Sequence, residues 1–491
     1  MISRFLSAAL GLVALTFMTR YLDEAYGQLS YSLAFLAIIF GVADLGFAQA
    51  HIKRVSEGND LNDCVSTYAT VRLCTLAGAV AVTLTLLFSY DLIFPTPMEP
   101  TVKELVYILL AYYVFYGLAG IATLTFDARL QTTKTQLSVL VDPLIRVPLV
   151  VFLLIDRQGV TEVAWAYVLG GLATVCVALF YLFRDKVHWT KPTLFRSYMR
   201  YAAPVLAIVI AATVLSTLDK LVIGTFISED SVRFYSSSQN LLSMFLVVSS
   251  AVAALAFPAF SMLDKEGRHS EIRSKSTEAI RYISMIILPM VVVILLFPVE
   301  TAVIIFGGTF ADSGKTLNIL SVSIFLSAIA TIFITQLYAI NEPKKVARIY
   351  VTAMLLDAVL LFILVPYEIL GVELLGLSYV GAAIANLITY VLVFGLSIFY
   401  ASRQIPVKLD RRPLKYLAGI AAAAMAAYGL SLLVPVERWY DLVLVSIVSY
   451  CVFALVLFLL KELQKRDVDF FMDVVNVKEM ISYIRSELKS R

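Results

Sequence analysis

Eight ionisable side chains sit in or at the edge of long apolar stretches. They are the cations Arg20, Arg72, Arg146 and Lys220 and the carboxylates Asp44, Asp142, Asp219 and Asp357. A charge inside a bilayer is costly, and such residues mark ion or substrate paths, pair with one another, or reach for the interface. The chemistry open to them is the holding of an anionic cargo by the cations, and of a cation or proton by the carboxylates. Arg20 closes the first stretch, where snorkelling to headgroups and facing a cavity are both open. Arg72 enters the third stretch near its polar edge, where snorkelling is the simpler reading. Arg146 follows Asp142 by four residues, so the two meet on one helix face, as a structural pair or as a cavity cation held by that pair. Lys220 adjoins Asp219, and neighbours on a helix point apart. Asp44, in Ala43-Asp44-Leu45-Gly46, suits a cavity wall, a partner for Arg20 or Arg72, or a proton site. Gln239, Asn240 and Gln336 also lie within stretches, where helix-to-helix hydrogen bonding is the simpler reading.

The elements that position these groups follow from composition. Of 491 residues, 60% are hydrophobic and 15% charged, and the mean hydropathy is +0.86. Soluble chains carry roughly 25% charge, so a cytosolic enzyme, a disordered chain and a disulfide scaffold are excluded. The net charge of +3 is too small to argue for nucleic acid. The four cysteines form no CxxC pair and read as small buried hydrophobes, and the three histidines scatter in polar stretches, so few metal-ligand candidates remain and the pattern argues against a metalloenzyme. A span needs about 20 apolar residues. Fourteen such stretches are found, near 5–21, 29–50, 69–89, 104–126, 137–155, 163–183, 201–223, 234–260, 282–305, 317–340, 349–367, 376–400, 415–433 and 440–460. They are apolar on most faces and lack period-two alternation, which excludes amphipathic soluble helices and a β-barrel. The first stretch lacks a small-x-small cleavage site and is expected to be a span. The expected class is an all-α integral membrane protein.

Orientation follows from Lys and Arg. Thirty of the 39 basic residues fall in the loops after even-numbered spans and in the two tails, against six in the loops after odd-numbered spans. Both termini are therefore expected in the cytoplasm, with the protein multi-pass in the cell membrane. The opposite loops lean acidic, with Asp23, Glu24, Glu229, Asp230, Glu368 and Glu373.

A repeat of period near 210 runs through the chain. Ala166-Tyr167-Val168 matches Ser378-Tyr379-Val380, and Leu130 to Lys134 matches Ile340 to Lys344. Tyr26-Gly27 ahead of an apolar run matches Phe234-Tyr235. Six spans per unit is an even number, so the units insert the same way up, as in transporters that rock two lobes. The expected organisation is an N-terminal lobe over 1–195, a second lobe over 196–405 and two extra helices over 406–462. A cytoplasmic amphipathic tail over 463–491 follows, for the membrane surface or a biosynthetic partner.

The runs Thr19-Arg20-Tyr21-Leu22, Tyr26-Gly27 and Ala43-Asp44-Leu45-Gly46 resemble the start of polysaccharide and oligosaccharide flippases. The second half adds Tyr201-Ala202-Ala203-Pro204, Leu218-Asp219-Lys220-Leu221-Val222-Ile223-Gly224, Phe257-Pro258-Ala259-Phe260-Ser261 and Gly381-Ala382-Ala383-Ile384-Ala385-Asn386. The likeness spans the first twelve stretches and is specific as an ensemble. These flippases belong to the multidrug/oligosaccharidyl-lipid/polysaccharide exporter superfamily. The resemblance implies a V-shaped pair of six-helix lobes and a polyprenyl-linked oligosaccharide as cargo, moved from the cytoplasmic to the outer leaflet. Arg20, Asp44, Arg72, Asp142, Arg146 and Lys220 are the candidates for the substrate cavity. In the related lipid II flippases, oxygens on the seventh, eleventh and twelfth helices form a sodium site. The resemblance carries this over to Asp219, Asp357 and Asn386, although Ala353, four before Asp357, is no oxygen donor. No resident cofactor is implied, and sodium or protons are the candidate coupling ions. A cation-coupled multidrug antiporter of the same superfamily is the first alternative. A membrane-embedded glycosyltransferase or polymerase is the second, and this chain lacks the large loop or soluble domain such enzymes need.

Overall fold

The computed structural model describes residues 2–93, 97–185, 187–369, 371–405 and 412–463. In lipid every backbone polar group must be satisfied within its own segment, and the apolar stretches answer with helices. The first half comprises α1 (Ile2–Leu22), α2 (Glu24–Ala43), α3 (Phe47–Ser56), α4 (Leu61–Ile93), α5 (Pro100–Ala128), α6 (Thr132–Ile155) and α7 (Val160–Arg184). The second comprises α8 (Phe195–Phe226), α9 (Val232–Ser243), α10 (Leu246–Lys265), α11 (His269–Leu296), α12 (Pro298–Phe306), α13 (Ser313–Ala339), α14 (Pro343–Leu364) and α15 (Ser378–Gln404). Two further helices follow, α16 (Arg412–Ser431) and α17 (Trp439–Leu459), which pair with each other and lie on α11. The halves run in step: α2 and α9 begin 208 residues apart, as do α4 and α11.

Thirteen of the described helical segments are long and apolar enough to cross a membrane. The expected span at 415–433 is present as α16, an alanine-rich helix that is not among the thirteen. Two expected spans are broken. The stretch 234–260 divides at Met244-Phe245 into α9 and α10, and 282–305 divides at Phe297, where Pro298 cannot donate a backbone hydrogen bond and opens α12. The second expected span also ends early, because Leu45 and Gly46 turn through positive φ (51° and 75°) and start α3 in a new direction. The glycine is required there, since a Cβ would stand 3.0 Å from the Ala202 carbonyl oxygen. Of the cysteines, Cys64 is buried as expected, but Cys74, Cys176 and Cys451 lie on the outer surface, where lipid is as apolar as a core. The expected amphipathic tail beyond residue 463 lies outside the described residues.

We call the side where α1 begins the near face and the side where it ends the far face. The cores at the two faces differ. On the far side one cluster joins both halves, taking in Tyr26, Tyr31 and Leu105 of the first half and Tyr235, Phe306 and Phe310 of the second. On the near side each half has its own core: Phe47, Tyr68, Phe126 and Leu182 in the first, Phe260, Ile272 and Ile283 in the second. The halves are thus sealed at the far face and part toward the near face. The first half's near core also holds Tyr198 and Ala202 of α8, which ties the start of the second half to the first.

Candidate functional site

Between the halves lies a cavity of about 620 Å³. From the first half, α1 presents Ser3, Ser7, Gly11, Ala14 and Met18, a stripe of mostly small residues at helical spacing that leaves room along one face. Gln136 and Arg146 come from α6 and Tyr167 from α7, while the second half contributes Asn240 and Ser243. Ser3 and Ser7 stand at the near end of α1, so the cavity runs from the near face into the bundle. At that end the Ser3 hydroxyl donates to Gln136 Oε1. At the far end Asn240 donates to the Tyr26 hydroxyl at 2.8 Å and closes the floor between the halves.

Among the described residues Arg146 is the cation that lines this cavity, and it is clamped. Its Nε and Nη2 both donate to the Asp142 carboxylate, the latter at 2.9 Å, and its guanidinium lies 4.4 Å from the centre of the Tyr167 ring. Tyr112 stands edge-on to Tyr167 at 5.5 Å. Asp142 is 5% exposed and does not line the cavity. The arrangement offers a planar donor with its orientation already fixed.

The other sequence candidates are placed elsewhere. Arg72 donates to Asp44 at 3.0 Å and to the Gly117 carbonyl at 3.3 Å, forming an ion pair inside the first half, away from the cavity lining. Arg20 is also absent from the cavity lining. It reaches across to the second half, where its Nη2 and Nε donate to the carbonyls of Ile304 and Ile305. These are the last carbonyls of α12, which favour a cation. Lys220 stands on the face of α8 that meets α2: Gly224, one turn on, lies against the Tyr31 ring, and Thr213, two turns earlier, against Gly41.

Asp219 turns away from that seam into the second half. Its Oδ2 accepts from the Tyr235 hydroxyl and from Gln239 at 3.0 Å, and its Oδ1 from the Lys220 backbone N–H at 2.8 Å. Asp357 of α14 accepts from Thr389 of α15 at 3.0 Å. Asp219, Asp357 and Asn386 are all buried, and the two carboxylates lie close enough for each to sense the other's charge. The structure therefore brings α8, α14 and α15 together at one acidic locus and adds Tyr235, Gln239 and Thr389 to the residues expected there. Gln239 was legible as a polar residue in a span. Tyr235 was legible only as part of the repeat, and Thr389 carried no signal, because neither type is unusual in a membrane helix.

His51 lies in a polar stretch of sequence, yet the structure buries it wholly at the near face, where Nδ1 meets the Tyr198 hydroxyl at 2.9 Å and Nε2 the Thr125 hydroxyl at 2.8 Å. Tyr68 stacks on the ring at 4.5 Å. His51 lies in α3, outside the apolar spans, and burial pushes its pKa down to about 3.

Comparison with known proteins extends this picture. A sequence-family profile described as polysaccharide biosynthesis protein matches residues 1–264. A probable low-salt glycan biosynthesis flippase of Haloferax volcanii is 25% identical over 419 residues, covering 83% of each chain. A putative O-antigen transporter of Shigella flexneri is 23% identical over 157 residues, which is 32% of this chain and 37% of that one. Among solved structures, the lipid II flippase MurJ in an inward closed conformation superposes with a TM-score of 0.74 at 13% identity, over 92% of this chain and 97% of that one. An inward-facing multidrug resistance transporter of the MATE family gives 0.65 at 18% identity, over 82% and 98%. These likenesses establish the shared fold.

Proposed function

The chain belongs to the polysaccharide biosynthesis protein family, and on that premise we propose that it is a flippase carrying a lipid-linked oligosaccharide from the near to the far leaflet. The observation that carries this reading is the near-face cavity with a clamped guanidinium at its wall. Moving a sugar-phosphate head through hydrocarbon unaided strips it of water at a cost of several kcal/mol per unpaired polar group. Hydroxyls and amides from Ser3, Ser7, Gln136, Asn240 and Ser243 replace that water, and Arg146 meets the phosphate as a planar, fixed donor. The lipid tail stays in the bilayer. The relatives from Haloferax and Shigella, named as a glycan flippase and an O-antigen transporter, support this cargo class.

The arrangement of the cores supports transport by alternating access. The far faces share one core, whereas the near faces join through the start of α8 and otherwise keep separate cores, which supports a state that loads from the near side. The excess of Lys and Arg at the loops of the near face supports the cytoplasm as that side. We assign coupling to the acidic locus. Asp357 is buried beside Asp219, whose charge is offset by the neighbouring Lys220, and a sodium ion or a proton would supply a positive charge for Asp357. Asp219 already accepts three hydrogen bonds, so Asp357, with the Thr389 hydroxyl beside it, is the more available ligand.

The test is reconstitution. Protein in liposomes should expose lipid-linked oligosaccharide, loaded in one leaflet, to a glycosidase on the other side. Arg146→Ala should remove that exposure while leaving the protein folded. Transfer at the parent rate by Arg146→Ala would overturn the assignment.

A further inference from the structure

The far mouth, where the halves meet, carries more acid than base. The turn between α1 and α2 brings Asp23 and Glu24, the start of α5 brings Glu99, and the turn between α8 and α9 brings Glu229 and Asp230. Arg233 of α9 faces this group. Its Nη1 donates to Asp23 at 2.7 Å and lies 3.9 Å from Glu24, while the guanidinium rests on the Phe234 and Phe310 rings at 4.8 and 5.7 Å. The remaining charged groups here are engaged elsewhere: Arg20 on the end of α12, Lys315 on Asp312 at 2.7 Å, and Glu99 as acceptor from Gln28 at 2.8 Å. Lys103, one turn from Glu99 on α5, has its own contact.

The turn holding Glu229 and Asp230 is seated hard against the first half. A Cβ on Gly27 of α2 would stand 2.6 Å from the Glu229 carbonyl oxygen and 2.7 Å from that of Asp230. In this seat Oδ1 of Asp230 is buried with no hydrogen-bond partner among the described residues, although the residue as a whole is half-buried and within reach of water from the far side. A carboxylate oxygen without a donor, facing Asp23 and Glu24, is costly as an anion and at ease as an acid.

We propose that Asp230 is the proton-reading latch of the far-face gate: a proton on its carboxyl lets the α8–α9 turn seat on Gly27 with Arg233 left to Asp23, and its loss favours opening. The titration agrees in sign. Burial first, then Glu24 and Asp23, push the Asp230 carboxyl up against the pull of Arg233, and burial does the same to Glu229. A group whose pKa is raised in the closed gate, and ordinary once the gate opens to water, closes the gate as pH falls. Protons arriving from the far side thus return the carrier to the state that loads from the near side. They exchange with that side alone, so the latch is separate from the acidic locus of α8, α14 and α15.

The test reads gate width without any cargo. Spin labels go on Gln158→Cys and Leu375→Cys, exposed sites on far-face turns of opposite halves, after replacement of the four native cysteines. Pulsed dipolar spectroscopy on the full chain in nanodiscs then compares about pH 7.5 with about pH 5.5, a window above the ordinary carboxylate range. The closed population should rise several-fold on acidification. It should be high and independent of pH in Asp230→Asn, and pH-dependent again in Asp230→Glu. Arg233→Asp should widen the distances at both pH values, and the swap Asp23→Arg with Arg233→Asp should narrow them again. A parent distribution that ignores pH, or a pH response that survives in Asp230→Asn, would overturn the latch.

Discussion

A Cβ on Gly170 would stand 2.3 Å from Oδ1 of Asp142. The bare α7 backbone at this point is what lets the α6 carboxylate stand against α7 while it accepts from two nitrogens of Arg146. Gly170→Ala therefore displaces Asp142 and frees the guanidinium to rotate, with no change in net charge. Hydrogen bonds to charged groups are worth about 1.5–3 kcal/mol, which corresponds to a loss of roughly 10- to 150-fold in transport. Leaflet-to-leaflet transfer in liposomes measures it. A rate equal to the parent would show that the clamp does not position Arg146.

The Tyr167 ring predicts a split between two substitutions. Arg146 lies over its face at 4.4 Å, whereas its hydroxyl touches Met18 Sδ at 3.8 Å, a weak acceptor. Tyr167→Phe should keep transport within about twofold, and Tyr167→Leu should lower it by about 1 kcal/mol, or roughly fivefold, by removing the ring's face. Arg146→Lys should fail nearly as fully as Arg146→Ala, because an ammonium can neither accept the two-pronged grip of Asp142 nor stack. Equal rates for the Phe and Leu variants would dismiss the cation–π contact.

His51 makes a prediction about stability. Its pKa is held at about 3 in the fold and returns to about 6.5 in the unfolded chain. A depressed histidine contributes stability that is complete above the unfolded value and lost as pH falls below it, because the unfolded chain then takes up the proton. Between about pH 7.5 and about pH 5.5 the loss is on the order of 1.4 kcal/mol. Thermal unfolding in detergent should show this slope, and His51→Gln should flatten it while lowering stability at neutral pH through lost stacking on Tyr68. An unchanged slope in His51→Gln would assign the effect to other groups.

These residues also show what a sequence can and cannot reveal. The spans, the two halves in step and the charge asymmetry are legible because each is a property of long runs, and a run of 20 apolar residues has one outcome in lipid. The Asp142/Arg146 pair was legible for the same local reason: four residues make one helical turn. Arg72 with Asp44 was among the offered pairings, but Arg20 finds its partner 284 residues away on α12, and no local spacing encodes that. His51 looked polar because its neighbours Lys53 and Arg54 are, whereas Thr125 and Tyr198, which bury it, come from α5 and α8. The breaks at Met244 and Phe297 depend on how α10 and α12 pack, and the proline at 298 marked only the second.

The acidic locus supplies the last prediction. Asp219 is held by Tyr235, Gln239 and a backbone N–H, so its charge is matched by donors. Asp357 has one donor among the described residues, Thr389, and it faces a second carboxylate in a site nearly closed to water. The two demand different partners. Asp219→Asn leaves Tyr235 and Gln239 facing an amide and should chiefly reduce stability, by about 1–3 kcal/mol for disrupted buried hydrogen bonds. Asp357→Asn removes the charge that a sodium ion or proton would neutralise. It should abolish the response of transport to an imposed sodium or proton gradient while sparing the slow, gradient-free exchange. Thr389→Val should weaken that response without abolishing it, because it withdraws one oxygen and leaves the carboxylate. Varying each gradient separately in liposomes identifies the ion. Gradient-driven transport by Asp357→Asn at the parent rate would remove this locus from the coupling mechanism and leave the cavity reading intact, because the cavity and the locus share no residue.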